Sequence, residues 1–212
     1  PPSRARENAE SIATAKQYMK NSRAEFAKDK HIPNNHEAVD FATDGNVLIS
    51  GERYLSDRTT ATYVAKLSPG GKVIWETKIP GAKGATSSPG YHFTTKEGGC
   101  IVFTRYYHEW GSFGCSRITH LDGSGKIVYD YKFIREPNPE HKDVDWEQAV
   151  LLPDGSLKLQ GLSFVERKQF GQGDWRNLYR PWKGTMSPTG EFTDTTTDQL
   201  PPQEKSYWEK TR

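Results

Sequence analysis

Three carboxylates alternate within the stretch Glu140-His141-Lys142-Asp143-Val144-Asp145-Trp146-Glu147. Successive side chains of an extended strand point to opposite faces, so Asp143, Asp145 and Glu147 would project from one side. Convergent carboxylates can divide general-acid and general-base work, or hold a hard cation through oxygen ligands. The same residues also suit a solvated, charged entry into a strand. Glu147 has a counterpart in Glu37, each seven residues ahead of an equivalent turn, which suggests a repeated structural role.

The two cysteines, Cys100 and Cys115, flank a loop centred on Tyr107, on what read as adjacent antiparallel strands. A cross-strand disulfide would stabilise by roughly 3 kcal/mol through loop closure and would imply an oxidising compartment. The other reading is two reduced thiols behaving as small apolar residues. The six histidines are scattered, and the chain has no H-E-x-x-H, paired C-x-x-C, P-loop or G-x-S-x-G pattern. No metal site is expected from such spacing.

A third group is aromatic and cationic. It comprises Tyr54 and Arg58, then Tyr106, Tyr107 and Trp110, then Arg167, Phe170, Trp175, Arg176, Tyr179 and Trp182 within a long segment from 166 to 182. Tyr, Trp and Arg combine large rigid contact area with a polar handle, and they dominate binding hot spots. Alternatively, each could simply pin a loop to the scaffold beneath it.

All of these residues must be positioned by short strands. From Glu37 to Gly81 the chain reads as one four-stranded antiparallel unit: Val39-Asp40-Phe41, Val47-Leu48-Ile49, Tyr63 to Leu67 and Val73 to Ile79, with turns at Asp44-Gly45 and Ser68-Pro69-Gly70-Gly71. Asp-Gly and Pro-Gly between β-branched and aromatic runs are strand-turn-strand punctuation, because Gly supplies the positive φ a hairpin turn demands. The punctuation recurs at Glu97-Gly98-Gly99 and Asp122-Gly123-Ser124-Gly125, and again at Pro153-Asp154-Gly155 and Ser187-Pro188-Thr189-Gly190. Three repeats result, about 37–81, 90–134 and 145–194, whose leading turns are 53 and 57 residues apart. In four-stranded blades the tight turns lie on one side, and the loops bearing the aromatic and cationic residues lie on the other.

The segment Leu67-Ser68-Pro69-Gly70-Gly71-Lys72-Val73-Ile74-Trp75 resembles the quinoprotein-type (PQQ-like) β-propeller repeat, whose blades end in a Gly-x-x-x-Trp turn and strand. The resemblance implies that Trp75 docks its blade onto the next. Tyr129 and Asp194 occupy the matching positions in the later repeats, so the docking Trp is replaced twice. Quinoprotein enzymes of this family build a quinone and calcium site across a closed ring of many blades, commonly with an adjacent Cys pair. Three repeats and separated cysteines point away from that cofactor, and none is expected.

The fold expected is therefore all-β: three propeller-like four-stranded antiparallel repeats forming a short or incomplete propeller, with an N-terminal α-helix. A β-sandwich built from the same hairpins is the alternative. The helix is read from Ala5, Ala9, Ile12, Met19 and Phe26, whose spacings of 4, 3, 7 and 7 form one stripe. The organisation is 1–35 helical, 36–195 β-repeats and 196–212 a tail. At 212 residues and a net charge of +2, bulk electrostatics do not favour nucleic acid, and no apolar run approaches the length of a membrane span. The function expected is a non-enzymatic binding module engaging a protein partner through the aromatic and Arg-rich loops. Such a module would be an inhibitor or immunity-type protein, bacterial and periplasmic or secreted. Carbohydrate and a second copy of the chain are the other partners the surface admits. The alternative is a carbohydrate-active enzyme using Asp143, Asp145 and Glu147.

Overall fold

Six turns of one geometry organise the chain. In each, a residue accepts a hydrogen bond from the glycine three positions on and donates to the carbonyl four positions on, as when Gly45 N donates to Ala42 O and Ala42 N to Asn46 O. The same pair recurs at Ser68, Thr95, Asp122, Leu152 and Ser187. The glycines Gly45, Gly71, Gly98, Gly125, Gly155 and Gly190 all have φ between 76° and 90°. This is a turn closed by a left-handed residue, a conformation that costs any residue with a Cβ. Asp44, Asp122 and Asp154 lock three of the turns by accepting the backbone N–H two residues on.

The computed structural model describes residues 38–54, 60–79, 81, 85–108, 111–133, 144–196 and 200–204, with Ala13; the side chains of 38–39, 53–54, 85–91, 106–108, 111–116 and 144–148 lie outside that description. The expected N-terminal helix lies outside the described residues, Ala13 apart. The described chain is all-β. The first sheet has the order β1 (Ala38–Phe41), β2 (Val47–Tyr54), β3 (Thr60–Leu67), β4 (Val73–Ile79). The second is β5 (Ala85–Thr94), β6 (Cys100–His108), β7 (Gly111–Leu121), β8 (Ile127–Lys132). The third is β9 (Val144–Leu151), β10 (Leu157–Gly171), β11 (Asp174–Met186), β12 (Phe192–Asp194), and β13 (Gln203–Glu204) adds to β11. Each sheet is an open run of consecutive strands. No helix of the described residues is long and apolar enough to cross a membrane.

By packing, the chain divides into two units, Pro1–Ser112 with Ile118–Asp130, and Phe113–Arg117 with Tyr131–Arg212. In the first unit the core lies between sheets one and two. Ala42, Leu48, Val64 and Ile79 meet Cys100, Val102 and Leu121, with Trp75 against them. Strand β3 is buried at all eight positions, because Val47, Ile49, Tyr63, Ala65 and Leu67 form a second cluster on the opposite face. Where one face of a strand packs polar residues, these are paired across the sheets. Lys66 Nζ donates to Asp44 Oδ2 at 2.6 Å and to Gly98 O at 2.7 Å, and Ser50 Oγ meets His92 Nδ1 at 3.2 Å. Trp75 Nε1 donates to Gly123 O at 2.9 Å, and its ring lies against Gly125, where a Cβ would come within 2.6 Å of it.

Cys100 is a free, buried thiol in this core, and burial pushes its pKa up to about 12. The expected Cys100–Cys115 disulfide is thus not formed. Cys100 opens β6, and its neighbour Gly99 lies against the backbone of Leu121 at the end of β7. Cys115 stands six residues before Leu121 in that strand, roughly 20 Å along it, far beyond bridging reach. The inference from a disulfide to an oxidising compartment therefore does not arise.

In the second unit, period-two alternation gives the third sheet one apolar face. The cross-strand pairs Leu157–Met186, Leu159–Gly184 and Gly161–Trp182 are buried on it. Phe192 covers Gly184, and Trp182, Phe192, Tyr131 and Phe133 form a cluster of rings 4.9–6.0 Å apart.

Candidate interaction surface

The segment from 166 to 182, expected to be a long loop, is strand. Strands β10 and β11 pair without interruption from Leu157–Met186 to Gly171–Asp174, apart from bulges at Val165 and Phe170. They turn at Gln172–Gly173, where Gly173 has φ 84°. Among the described residues, β9 accompanies β10 as far as the pair Ser163–Val144. Beyond it β10 and β11 stay paired to the turn, forming an arm. The physical reason for the difference is register. Gln169–Trp175 and Arg167–Asn177 are cross-strand pairs of the kind that stabilise a hairpin even where charged residues lower the intrinsic strand preference. Lys168 and Arg176, also opposite one another, carry like charges that Asp174 and Glu204 offset.

Alternation splits the arm into two faces. On one, Phe170 is overlaid by Arg176 at 5.1 Å and by Lys168 at 5.8 Å. Arg176 is held there by Asp174 at 2.6 Å and by Glu204 of β13 at 2.7 Å. The hydrogen bond from Arg176 holds the Asp174 carboxyl below the ordinary carboxylate value, and the hydrogen bonds to Asp174 and Glu204 raise that of Arg176 in return. On the other face Arg167 lies over the Trp175 ring at 5.7 Å, with Gln169 and Asn177 as the paired residues beside them. Phe170 and Trp175 are each 51% exposed.

The expected binding residues therefore part company. Arg167, Phe170, Trp175 and Arg176 are brought together at the end of the arm. Tyr179 sits at its root, edge-on to Phe164, with its backbone paired to Gln203. Trp182 is only 7% exposed and belongs to the aromatic core, so it is a packing residue and not a surface one. Tyr106 and Tyr107, expected in a loop, are strand residues of β6 whose backbones pair with Ser87 and Thr86; their side chains lie outside the described residues. The same holds for the side chain of Tyr54, at the end of β2 opposite Thr60. Arg58, Trp110 and Asp143 lie outside the described residues. Asp145 and Glu147 are in β9, where the register shifts between Trp146 and Gln148, so Glu147 has no Cα partner on β10. Lys168, Asp174 and Glu204, not singled out from the sequence, shape the arm. Opposite charges two residues apart at a turn are the signal that marks Asp174 and Arg176.

At the Trp75 position of the second repeat, Tyr129 is buried edge-on to His120, rings 5.2 Å apart. Burial pushes its phenol up to about 12. Asp194, at the third such position, is exposed and accepts a hydrogen bond from Thr196 N at 2.8 Å.

These features define an all-β protein of three antiparallel sheets with one extended hairpin. Comparison with known proteins adds little. No family model matches the chain and no curated protein matches it. Among solved structures, the chain is similar to a mannose phosphorylase from Leishmania mexicana solved in complex with a phosphate ion. That match has 13% identity over 84% of this chain and 76% of that one, and a TM-score of 0.23.

Proposed function

We propose that the chain is a non-enzymatic binding module that engages a protein partner through the β10–β11 arm. The observation that carries this reading is the pair of half-exposed rings, Phe170 and Trp175, each overlaid by a cation at the tip of the β10–β11 hairpin. Neither ring serves the core, whereas aromatic and Arg residues together supply most of the affinity of protein interfaces. Arg176 is already tied down by two carboxylates, so less side-chain entropy is lost when it is covered. A site carried on paired strands also holds its geometry better than one on a loop.

An inhibitor or immunity-type role, in a bacterium and in a periplasmic or secreted setting, is the form of this reading that suits a small scaffold with one presenting arm. The Trp75 contact on Gly123 and Gly125 supports reading the scaffold as a short quinoprotein-type propeller, since it has the character of that repeat's blade-to-blade docking. Affinity capture from the native source tests the proposal. The double variant Phe170→Ala/Trp175→Ala should melt at the wild-type temperature yet lose the captured partner. Undiminished capture would remove the arm from the function.

A further inference from the structure

We infer that the root of the β10–β11 hairpin is a binding site for a small monocarboxylic acid with an apolar body, its carboxylate held by Arg180, Trp182 and Ser163.

Strand β11 sets these groups on one face. Leu178, Arg180 and Trp182 are alternate residues, so their side chains leave the strand on the same side, with Arg180 and Trp182 roughly 7 Å apart at the Cα atoms. The register places Ser163 opposite Arg180, and Gly161, which has no side chain, opposite Trp182. Directly opposed residues share a face, so the Ser163 hydroxyl joins the two nitrogen groups.

All three have hydrogen-bonding capacity left over. The Trp182 side chain is 7% exposed and its Nε1 donates to nothing, and Arg180 Nε is likewise buried without a partner. Ser163 Oγ makes only a long contact of 3.5 Å with the carbonyl of Phe164, its chain neighbour. Register brings Glu204 of β13 opposite Leu178, but that carboxylate is taken by Arg176 at 2.7 Å, and Arg180 has no ion pair among the described residues. Buried donors are almost always paired in folded proteins, so two orphans on one strand face call for an acceptor.

The chemistry of the donors selects the ligand. An indole N–H and a guanidinium can only donate. Water answers them poorly, because it brings two protons of its own that would need acceptors, whereas a carboxylate is acceptor-only and offers two oxygens. With about 2.9 Å for each N–H···O bond, one carboxylate can span donors at this spacing. The charge count selects a monoanion. Arg180 supplies one positive charge here, since Arg176 is neutralised by Asp174 and Glu204, and Lys183 is exposed on the opposite side of β11. A second negative charge would be buried unpaired. The surroundings select an apolar body: Leu178 is buried on one side of Arg180, and Phe133 and Phe192 stand against the Trp182 ring at 5.7 and 6.0 Å.

Phenylacetate, its neutral isostere phenylacetamide, acetate and inorganic phosphate are the probes, titrated against the isotope-labelled full chain. The indole N–H resonances are followed, and that of Trp182 is assigned by its loss in Trp182→Phe. Phenylacetate should shift the Trp182 resonance downfield and bind roughly tenfold tighter than phenylacetamide, the scale of one charge-assisted hydrogen bond. Acetate should bind more weakly than phenylacetate, and phosphate weakest. Arg180→Gln should bring acid and amide to equal affinity. A Trp182 resonance that no carboxylate moves would overturn the inference, as would an amide that binds the wild-type chain as tightly as the acid. So would phosphate binding tighter than phenylacetate, or an unchanged preference for the acid in Arg180→Gln. The wild-type titration decides the matter if Arg180→Gln does not fold, and it involves no protein partner, so the site and the arm are tested apart.

Discussion

Gly45 and Gly125 share one backbone conformation, φ 82° and 83°, in different surroundings. A Cβ at Gly45 meets nothing within 4 Å, whereas at Gly125 it runs into the Trp75 ring. Gly45→Ala should therefore cost only the left-handed penalty, about 1–2 kcal/mol. Gly125→Ala adds overpacking and should cost about 2–5 kcal/mol. Urea unfolding of the two variants side by side measures the Trp75 contact by difference, and equal losses would show that the ring yields freely. The Lys66–Asp44 pair behaves differently. Lys66 is 4% exposed and Asp44 44%, so removing the carboxylate strands a buried ammonium, while removing the amine leaves a carboxylate that water can reach. Asp44→Asn should cost about 2 kcal/mol, more than Lys66→Met. Burial raises the Asp44 carboxyl, but the hydrogen bonds from Lys66 and Asn46 and the Lys66 charge outweigh it and hold it below 3.8. A folded value below the unfolded one means that stabilisation is full above about pH 4 and is lost as pH falls through the folded value. The stability gap between wild type and Asp44→Asn should therefore narrow as pH falls below about 4, and a gap that does not narrow on acidification would refute the assignment.

At the scale of elements, the β10–β11 hairpin does two jobs along its length. Its root packs and its tip is presented. Two of its tryptophans sit seven positions apart and belong to opposite categories: Trp182 at 7% exposure in a ring cluster, Trp175 at 51% on the arm. Trp182→Ala should destabilise by about 3–5 kcal/mol. Trp175→Ala should change stability by no more than about 0.5 kcal/mol. Thermal melts of both decide the point, and a large loss for Trp175→Ala would mean the arm tip is structural. The turns flanking every sheet were legible because Asp-Gly, Gly-Gly and Pro-x-Gly name a local backbone conformation. The hairpin was not, because Glu166, Arg167, Lys168 and Gln169 carry little intrinsic strand preference, and their conformation comes from the residues opposite them on β11.

At the scale of the whole molecule, the core of the first unit lies between two sheets, and Cys100 is one of its apolar residues. Native protein should leave Cys100 unreacted with a thiol reagent, and protein unfolded without reductant should be alkylated at both cysteines, as read by mass. Protection of both after unfolding would restore the disulfide. The three-sheet, all-β architecture could be read from the chain because it is written in local signals: glycines at positive φ, alternation within strands, and a repeat of turns. Burial and partnership could not, because they depend on residues brought together from far apart. Asp145 and Glu147 look equivalent on paper, but a register shift between Trp146 and Gln148 leaves Glu147 without a Cα partner on β10. Cys100 and Cys115 are close in sequence, but a strand is stiff and keeps them at different levels along it. Trp175 and Trp182 look alike in the chain and are told apart only by what the tertiary structure lays over them, Arg167 and solvent in one case and Phe133 and Phe192 in the other.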